Sequence, residues 1–314
     1  MDPLWPDDPR TIGPYRLIAR FDPAQGGPPL PERRFVGRGP GGDRTVLLGV
    51  PLAADDAGRF AVEAEAARRL SGRWLSPVAE VGGGDGPPWY ATPYLPAVSL
   101  TTALAAHGGP LPEHTVRALG AALAEALAGL HAQGLAHGGI SPGAVLLTAD
   151  GPRLGCFGAV RVAAPDGERR SGHPGLAFGS VPPEQLTGGR PRPLGDSYAL
   201  GSVLAYAATG QLVPERGELP EGLRTLVSRC RTRDPVARPR AGELLAELAG
   251  TAAGAPRSPG QPSHGTVLDG ANSLAGALLG PGWLPGRVIA ALARQSAEVL
   301  AAETEPEAGA WAGA

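Results

Sequence analysis

The sequence of 314 residues contains no lysine, and all 28 of its basic residues are arginine. This absence excludes a Schiff-base lysine, a P-loop lysine and any other site in which a lysine amine clamps a phosphate. A compositional drift toward Ala, Gly, Pro and Arg explains why arginine replaces lysine on the surface, where lysine and arginine are equally suitable. Drift alone should not remove a lysine that catalysis requires, so the absence also constrains the mechanism.

Cysteine is nearly as scarce, and neither sign of charge dominates. Cys156 and Cys230 form no C-x-x-C pair and the histidines lack ligand spacing, so neither a disulfide framework nor a metal site is expected. A net charge of −2 without a basic stripe gives no support for nucleic-acid binding.

The uncharged stretches are interrupted by proline or are too polar for a membrane span, and residues 1–10 do not resemble a signal peptide. We therefore expect a cytoplasmic protein that contacts no membrane.

Glycine and proline are abundant, with 48 and 35 residues, but a hydrophobic fraction of 42% is enough to form a sizeable core. Strand-like runs joined by Gly-rich turns come first and enclose one helical run at 58–70, whereas helical periodicity dominates later, most clearly over 112–134. The pattern predicts an α+β, bilobal architecture with a ligand cleft between the lobes. The predicted division is an N-terminal extension (1–10), an N-lobe (11–97), a C-lobe (98–250), a Gly/Ala/Pro/Ser-rich linker (251–281) and a C-terminal amphipathic helix with its tail (282–314).

Five motifs in the middle of the chain lie in register with those of one known family. They are LHAQGLAHGGISPGAVLL (130–147), PRLGCFGAVR (152–161), VPPEQ (181–185), GDSYALGSVLAYAATG (195–210) and RDPVARP (233–239). Their order and spacing resemble the bacterial "eukaryotic-like" serine/threonine protein kinases over roughly residues 11–250. The resemblance implies a protein-kinase-like fold, with a small β-rich N-lobe that contains one helix and a larger, mostly helical C-lobe.

Seven positions match the residues that build the kinase scaffold in this family. They are the catalytic-loop histidine (His137), the Phe and Gly of the D-F-G motif (Phe157 and Gly158), the A-P-E glutamate with its arginine partner (Glu184 and Arg238), the aspartate that holds the catalytic-loop backbone (Asp196) and the regulatory-helix glutamate (Glu63). We expect Glu184 and Arg238 to form a structural ion pair. Glu63 has no lysine to pair with and is expected to be a solvated carboxylate.

The positions that carry phosphoryl transfer in the family hold other residues. The replacements are Gly49 for the phosphate-clamping lysine, Gly139 for the general-base aspartate, Ala144 for the metal-binding asparagine and Cys156 for the D-F-G aspartate. In place of the glycine-rich phosphate loop, residues 22–29 contain prolines, which have no N–H to donate. Phosphoryl transfer depends on such groups, and the loss of one typically costs ~10²–10⁴ in rate.

From these replacements we expect a protein that is not an enzyme but a pseudokinase, a kinase-like domain acting as a regulatory or protein-interaction module. On this interpretation the ATP site is degenerate, with no catalytic, metal-binding or cofactor-binding residues, and neither ATP nor Mg²⁺ is expected to bind. A protein partner such as an active kinase or a signalling protein is expected, while the oligomeric state stays open.

Two alternatives remain. An unconventional nucleotide-binding serine/threonine kinase-like transferase would use Glu63 with other carboxylates such as Asp196. Metal-free nucleotide sensing would need an open adenine pocket, which Leu47 narrows because it replaces a smaller residue of the family. Cys156 beside His137 suggests a nucleophile pair, but no third orienting group is evident. We expect Cys156 to be a small apolar filler instead.

Overall fold

The structure is a computed structural model, which describes residues 2–21, 27–42, 44–84, 86–250 and 273–304. Most of the predicted linker, the C-terminal tail and five residues of the predicted phosphate-loop replacement (22–26) lie outside the described residues.

An antiparallel sheet of six strands forms the N-terminal lobe, in the order β1-β2-β3-β4-β6-β5. Alternating apolar side chains, among them Tyr15, Leu17, Phe35 and Leu48, bury one face of this sheet, as expected for strands with a period of two. Helix α1 packs Phe60 against the ring of Tyr90 near the other face. The elements are β1 (Thr11–Ile12), β2 (Tyr15–Arg20), β3 (Arg33–Arg38), β4 (Thr45–Val50), α1 (Ala57–Ala67), β5 (Glu80–Gly82) and β6 (Trp89–Pro93).

Helices dominate the second lobe, together with a small sheet of order β7-β8-β9. The 20-residue helix α3 lies at its centre, where Leu119, Leu123 and Leu127 are fully buried on one stripe. The elements are β7 (Val98–Ser99), α2 (Leu100–His107), α3 (Glu113–Ala132), β8 (Val145–Thr148), β9 (Gly151–Leu154), α4 (Ala159–Ala163), α5 (Pro183–Leu186), α6 (Pro193–Thr209), α7 (Glu221–Cys230) and α8 (Ala241–Gly250).

The C-terminal segment packs back onto the helical lobe, a point that the sequence leaves open. The buried indole of Trp283 donates a hydrogen bond to the carbonyl oxygen of Ala149 at 2.8 Å, and the Thr115 hydroxyl donates to the Trp283 carbonyl at 2.7 Å. These two bonds anchor the start of the last helix, α9 (Gly286–Thr304). Among the described helices, none combines the length and the apolar character that a membrane crossing needs.

The predicted α+β, bilobal, protein-kinase-like fold is confirmed by the sheet, the helices and the cleft between them. One partly buried pair of charges, with Arg238 buried and the Glu184 side chain 33% exposed, connects α5 with the turn before α8. Both Arg238 guanidinium nitrogens Nη1 and Nη2 donate to the Glu184 carboxylate, at 2.7 and 2.9 Å, and Arg238 Nε donates to the Thr232 carbonyl at 2.8 Å. The planar guanidinium therefore satisfies one carboxylate and a backbone carbonyl together.

We expect Arg238→Lys to lower the free energy of unfolding by about 1–3 kcal/mol, because lysine keeps the charge but cannot both replace the paired bonds to Glu184 and reach the Thr232 carbonyl. Urea unfolding followed by circular dichroism would measure the loss. Arg240→Lys, at an exposed position two residues away, is the matched control and should stay within about 0.5 kcal/mol of the parent. Equal stability of the two variants would contradict a structural role for the pair.

Candidate functional site

Asp196 fixes the turn that closes the bottom of the cleft. This carboxylate, at the start of α6, is 1% exposed. It accepts a hydrogen bond from the backbone N–H of His137 at 2.7 Å and another from that of Gly138 at 2.9 Å. His131 Nε2 lies 2.9 Å from the same carboxylate, a contact that sequence reasoning missed. Asp196 therefore holds the 137–144 turn in the place that the motif predicts and is not available as a reacting carboxylate.

His137 packs against Phe157 of the C-F-G motif as a neutral ring. Its imidazole meets the ring of Phe157 edge-on, with the two centroids 5.5 Å apart. Burial lowers the pKa of His137 to about 4, so the ring carries no charge near neutral pH. Cys156 does not turn toward this imidazole, because its thiol donates to a carboxylate oxygen of Glu32 at 3.4 Å. The two residues do not form a nucleophile pair.

Tyr90 occupies the space that a side chain on Gly49 would need. In the β4–β6 ladder these two residues are direct partners, and a Cβ atom on Gly49 would lie 2.5 Å from Tyr90 Cζ. The Tyr90 ring stacks on Phe60, and its hydroxyl donates to Glu32 Oε1 at 2.5 Å. Burial raises the pKa of the Tyr90 hydroxyl well above its usual range, so Tyr90 remains a neutral donor.

Glu32 places a buried carboxylate in the cleft, although no sequence motif marks it. It lies just before β3, is 3% exposed, and accepts from both the Tyr90 hydroxyl and the Cys156 thiol. Burial raises the pKa of Glu32, while the Arg34 guanidinium opposes this effect. A carboxylate thus stands next to the position where the family has its D-F-G aspartate.

Arg34 places a cation opposite the position where the family has its lysine. In the β3–β4 ladder Arg34 is the direct partner of Gly49. Side chains of direct partners in an antiparallel pair project from the same face of the sheet. Arg34 Nη2 donates to the carbonyl oxygen of Gly143 in the 137–144 turn at 2.6 Å, and this contact is buried. The Arg34 side chain therefore extends across the cleft from β3 to the 137–144 turn.

The positions of the usual magnesium ligands offer no oxygen. Ala144 presents a methyl group and Cys156 a thiol, whereas Mg²⁺ takes oxygen ligands. A Cβ atom on Gly139 would lie 1.9 Å from the carbonyl oxygen of Cys156, so a longer residue there needs a different backbone. Within the described part of the chain, no cluster of three or more His, Cys, Asp or Glu residues could hold a metal ion. The usual magnesium pair does not fit these positions.

Glu63 is not solvated, contrary to the expectation from sequence. Its carboxylate forms a two-pronged ion pair with Arg161, with N–O distances of 2.6 and 2.7 Å, and its side chain is only 12% exposed. Arg161 follows the C-F-G motif, so this pair joins α1 to that motif without a lysine. The expectation failed because the partner comes from 98 residues further along the chain.

Comparisons with known proteins agree with this fold. No family model matches the chain. The probable serine/threonine-protein kinase PkwA of Thermomonospora curvata is 39% identical over 270 residues, which cover 79% of this chain and 35% of PkwA. The serine/threonine-protein kinase AfsK of Streptomyces coelicolor is 34% identical over 274 residues, which cover 79% of this chain and 33% of AfsK. The chain thus spans about a third of the length of these curated relatives.

A solved structure gives the same result for the fold. The crystal structure of the PknI kinase domain of Mycobacterium tuberculosis superimposes with a TM-score of 0.57 at 23% identity, covering 76% of this chain and 96% of that domain. The chain therefore has a protein-kinase-like fold, and 79% of it is similar to proteins named as serine/threonine-protein kinases.

Two expectations from sequence are wrong in the light of these relatives. A chain that is 34–39% identical to proteins named as serine/threonine-protein kinases is not expected to be a non-enzyme. Such kinases use ATP and Mg²⁺, so the expectation that neither binds is overturned as well. Both expectations were drawn from the motif positions alone. Those positions do not include Glu32, which accepts a hydrogen bond from Cys156, or Arg34, which pairs with Gly49 in the β3–β4 ladder.

Removal of the Asp196 carboxylate should destabilise the fold strongly. Asp196→Ala leaves two buried N–H groups without an acceptor, so we expect the free energy of unfolding to fall by about 3–5 kcal/mol. Thermal and urea unfolding would measure this change, with the exposed Asp55→Ala as the control. A loss below about 1 kcal/mol would mean that the turn holds its shape without Asp196.

The raised pKa of Glu32 gives a pH signature. A carboxyl group whose pKa is higher in the folded state stabilises the fold while it is protonated, and this stability is lost as pH rises toward the folded pKa. We expect Glu32→Gln to gain thermal stability relative to the parent as pH rises above 4.5, the usual pKa of a glutamate. Glu65→Gln is the control, because Arg68 lowers the pKa of Glu65 and reverses the sign. A constant difference between Glu32→Gln and the parent would argue against a buried, titrating carboxyl.

Proposed function

We propose that this chain is a nucleotide-binding, serine/threonine kinase-like transferase that binds phosphate through Arg34 in place of a lysine. The observation that carries the proposal is the position of Arg34 directly opposite Gly49 in the β3–β4 ladder, with its guanidinium in the cleft. The similarity to named serine/threonine-protein kinases over 79% of the chain supports the class of reaction.

A guanidinium suits this task. It is always charged, and its planar fork of donors matches phosphate oxygens as well as carboxylates. Arg34 is buried and already oriented by the Gly143 carbonyl, so little side-chain freedom remains to be lost when an anion arrives. The chain has no amine-bearing side chain that could take this position, because it contains no lysine.

Glu32 is the carboxylate that we assign to the reacting end of the cleft. Its neighbours Tyr90 and Cys156 hold it beside the D-F-G position, and burial raises its pKa, which makes it a stronger base than an exposed glutamate. Glu63 and Asp196 do not take this role, because both are engaged in structural contacts. The roles of the matched positions Phe157, Gly158, Glu184 and Arg238 as scaffold belong to the same proposal.

The acceptor that we propose is a serine or threonine of a protein, following the names of the relatives. The lobes of this transferase are residues 11–97 and 98–250, as the motifs predict. A regulatory role toward a protein partner stays a prediction, and it is compatible with a transferase.

Arg34→Gln tests the proposal. We expect it to weaken ATP binding, measured by calorimetry with and without Mg²⁺, by about 10–100-fold, because it removes a charge-assisted contact to phosphate from a buried site. Transfer of radiolabelled phosphate from ATP to a mixture of serine- and threonine-containing peptides should fall in parallel. Arg33→Gln is the matched control, since Arg33 is the exposed neighbour on the same strand.

Two outcomes would contradict the proposal. Equal ATP affinity in Arg34→Gln and Arg33→Gln would remove Arg34 from the binding site. Failure of the parent chain to bind ATP or to transfer phosphate under any of these conditions would reject the function itself.

A further inference from the structure

Helix α9 inserts one apolar side chain into the cleft beside the connection between the two lobes. Val299 is 2% exposed, although it belongs to the last two turns of the helix. It lies in a hydrophobic cluster with Phe21, Val36 and Leu146, which come from three separate parts of the fold. The cluster also contains Ala97 and the partly buried Ile18, Leu47 and Tyr94.

The position of this cluster relates it to the phosphate-binding cation proposed above. Val36 and Leu47 are direct partners in the β3–β4 ladder, two residues along from the Arg34–Gly49 pair, a step of about 7 Å. Leu146 of β8 provides the opposite wall in the helical lobe. The cleft thus has an apolar part and a cationic part side by side, an arrangement suited to the base and the phosphates of one nucleotide. Val299 fills the apolar part.

The first turns of α9 are tied to the helical lobe, whereas its last turns reach the N-lobe. Val288 and Leu292 belong to the core of the helical lobe, and Arg287 Nη1 donates to the carbonyl oxygen of His107 at the end of α2. Further along, the helix contacts β2 and β7. Only the end of the helix must therefore move for the apolar part of the cleft to open.

The contact at this end is imperfectly packed. An open pocket of about 300 Å³ lies between parts of α9 and α2 and is lined in part by Phe21, Thr102 and Gln295. Gln295 is 8% exposed, and its carbonyl oxygen Oε1 has no hydrogen-bond partner among the described residues. A buried polar atom without a partner destabilises the docked state, and this makes the end of the helix easier to release.

We propose that the end of α9, residues 295–302, is an autoinhibitory plug that covers the apolar part of the cleft and that a nucleotide base must displace. The identity of the competing ligand rests on the proposed function, whereas the covering of the cleft by α9 does not. The occupant is a segment of this chain, because Val299 is already seated among the cleft residues.

The test uses Val299→Asp in the full chain, with Leu300→Asp as its matched control. Both substitutions add one charge at neighbouring positions near the end of the same helix, but Leu300 is 61% exposed and Val299 is buried. The first readout is hydrogen exchange at the backbone amides within residues 94–98, where every residue but Pro96 has an N–H, with the amides of α3 as a check on the fold. The second is ATP affinity by calorimetry.

We expect Val299→Asp to speed exchange at residues 94–98 by about tenfold or more, and to raise ATP affinity by a similar factor, because the competent state becomes more populated. Leu300→Asp should change both by less than about twofold. Unchanged exchange in Val299→Asp would overturn the plug, and so would faster exchange with unchanged ATP affinity. If neither variant nor the parent binds ATP, the proposed function fails, and faster exchange confined to Val299→Asp would still support the covering of the cleft by α9.

Discussion

The cleft depends on the hydrogen bonds that the backbone N–H groups of His137 and Gly138 donate to the Asp196 carboxylate. They join the start of α6, in the centre of the helical lobe, to the turn that forms the floor of the site. Because this turn is fixed, its Gly143 carbonyl can receive Arg34 from the opposite lobe. The carbonyl of Cys156 and the ring of His137 also pack against defined neighbours there. Without the bonds to Asp196, the turn at residues 137–144 would not be held in place to accept the hydrogen bond from Arg34.

Charge in the cleft is displaced from the family's motif positions to neighbouring ones. Where the family has a lysine, this chain has Gly49, and the nearby cation is Arg34, its direct partner on β3. Where the family has the D-F-G aspartate, this chain has Cys156, and the nearby carboxylate is Glu32, which accepts a hydrogen bond from the Cys156 thiol. Other groups occupy the space that the family's side chains would need: the Tyr90 ring lies where a side chain on Gly49 would be, and the Cys156 carbonyl oxygen lies where one on Gly139 would be. Cys156 itself has φ of 59°, and it is the only non-glycine residue with positive φ in the described part of the chain. Strain of this kind commonly collects at functional sites.

Much of the fold could be predicted from the sequence, because hydrophobic periodicity and five motifs in register specify both lobes. The structural roles of Asp196 and of the Glu184–Arg238 pair follow from the same motifs, since these contacts depend on residues that the chain retains. Helix α2 was missed because LTTALAAH lies in a proline-broken, charge-free stretch where no polar face marks a helix. Glu32, Arg34 and Arg161 could not be assigned, because their roles depend on partners that lie 58 to 124 residues away in the sequence.

The place of a guanidinium in this cleft has a consequence for how the protein can be detected. Reagents that identify nucleotide-binding proteins by acylating a lysine amine next to the phosphates find no lysine in this chain, and the guanidinium of Arg34 does not act as a nucleophile at neutral pH. Such reagents would not label this chain, whether or not a nucleotide is bound in its cleft. The proposed nucleotide binding would therefore have to be followed by non-covalent methods, or by the exposure of Val299, which is 2% exposed in this structure.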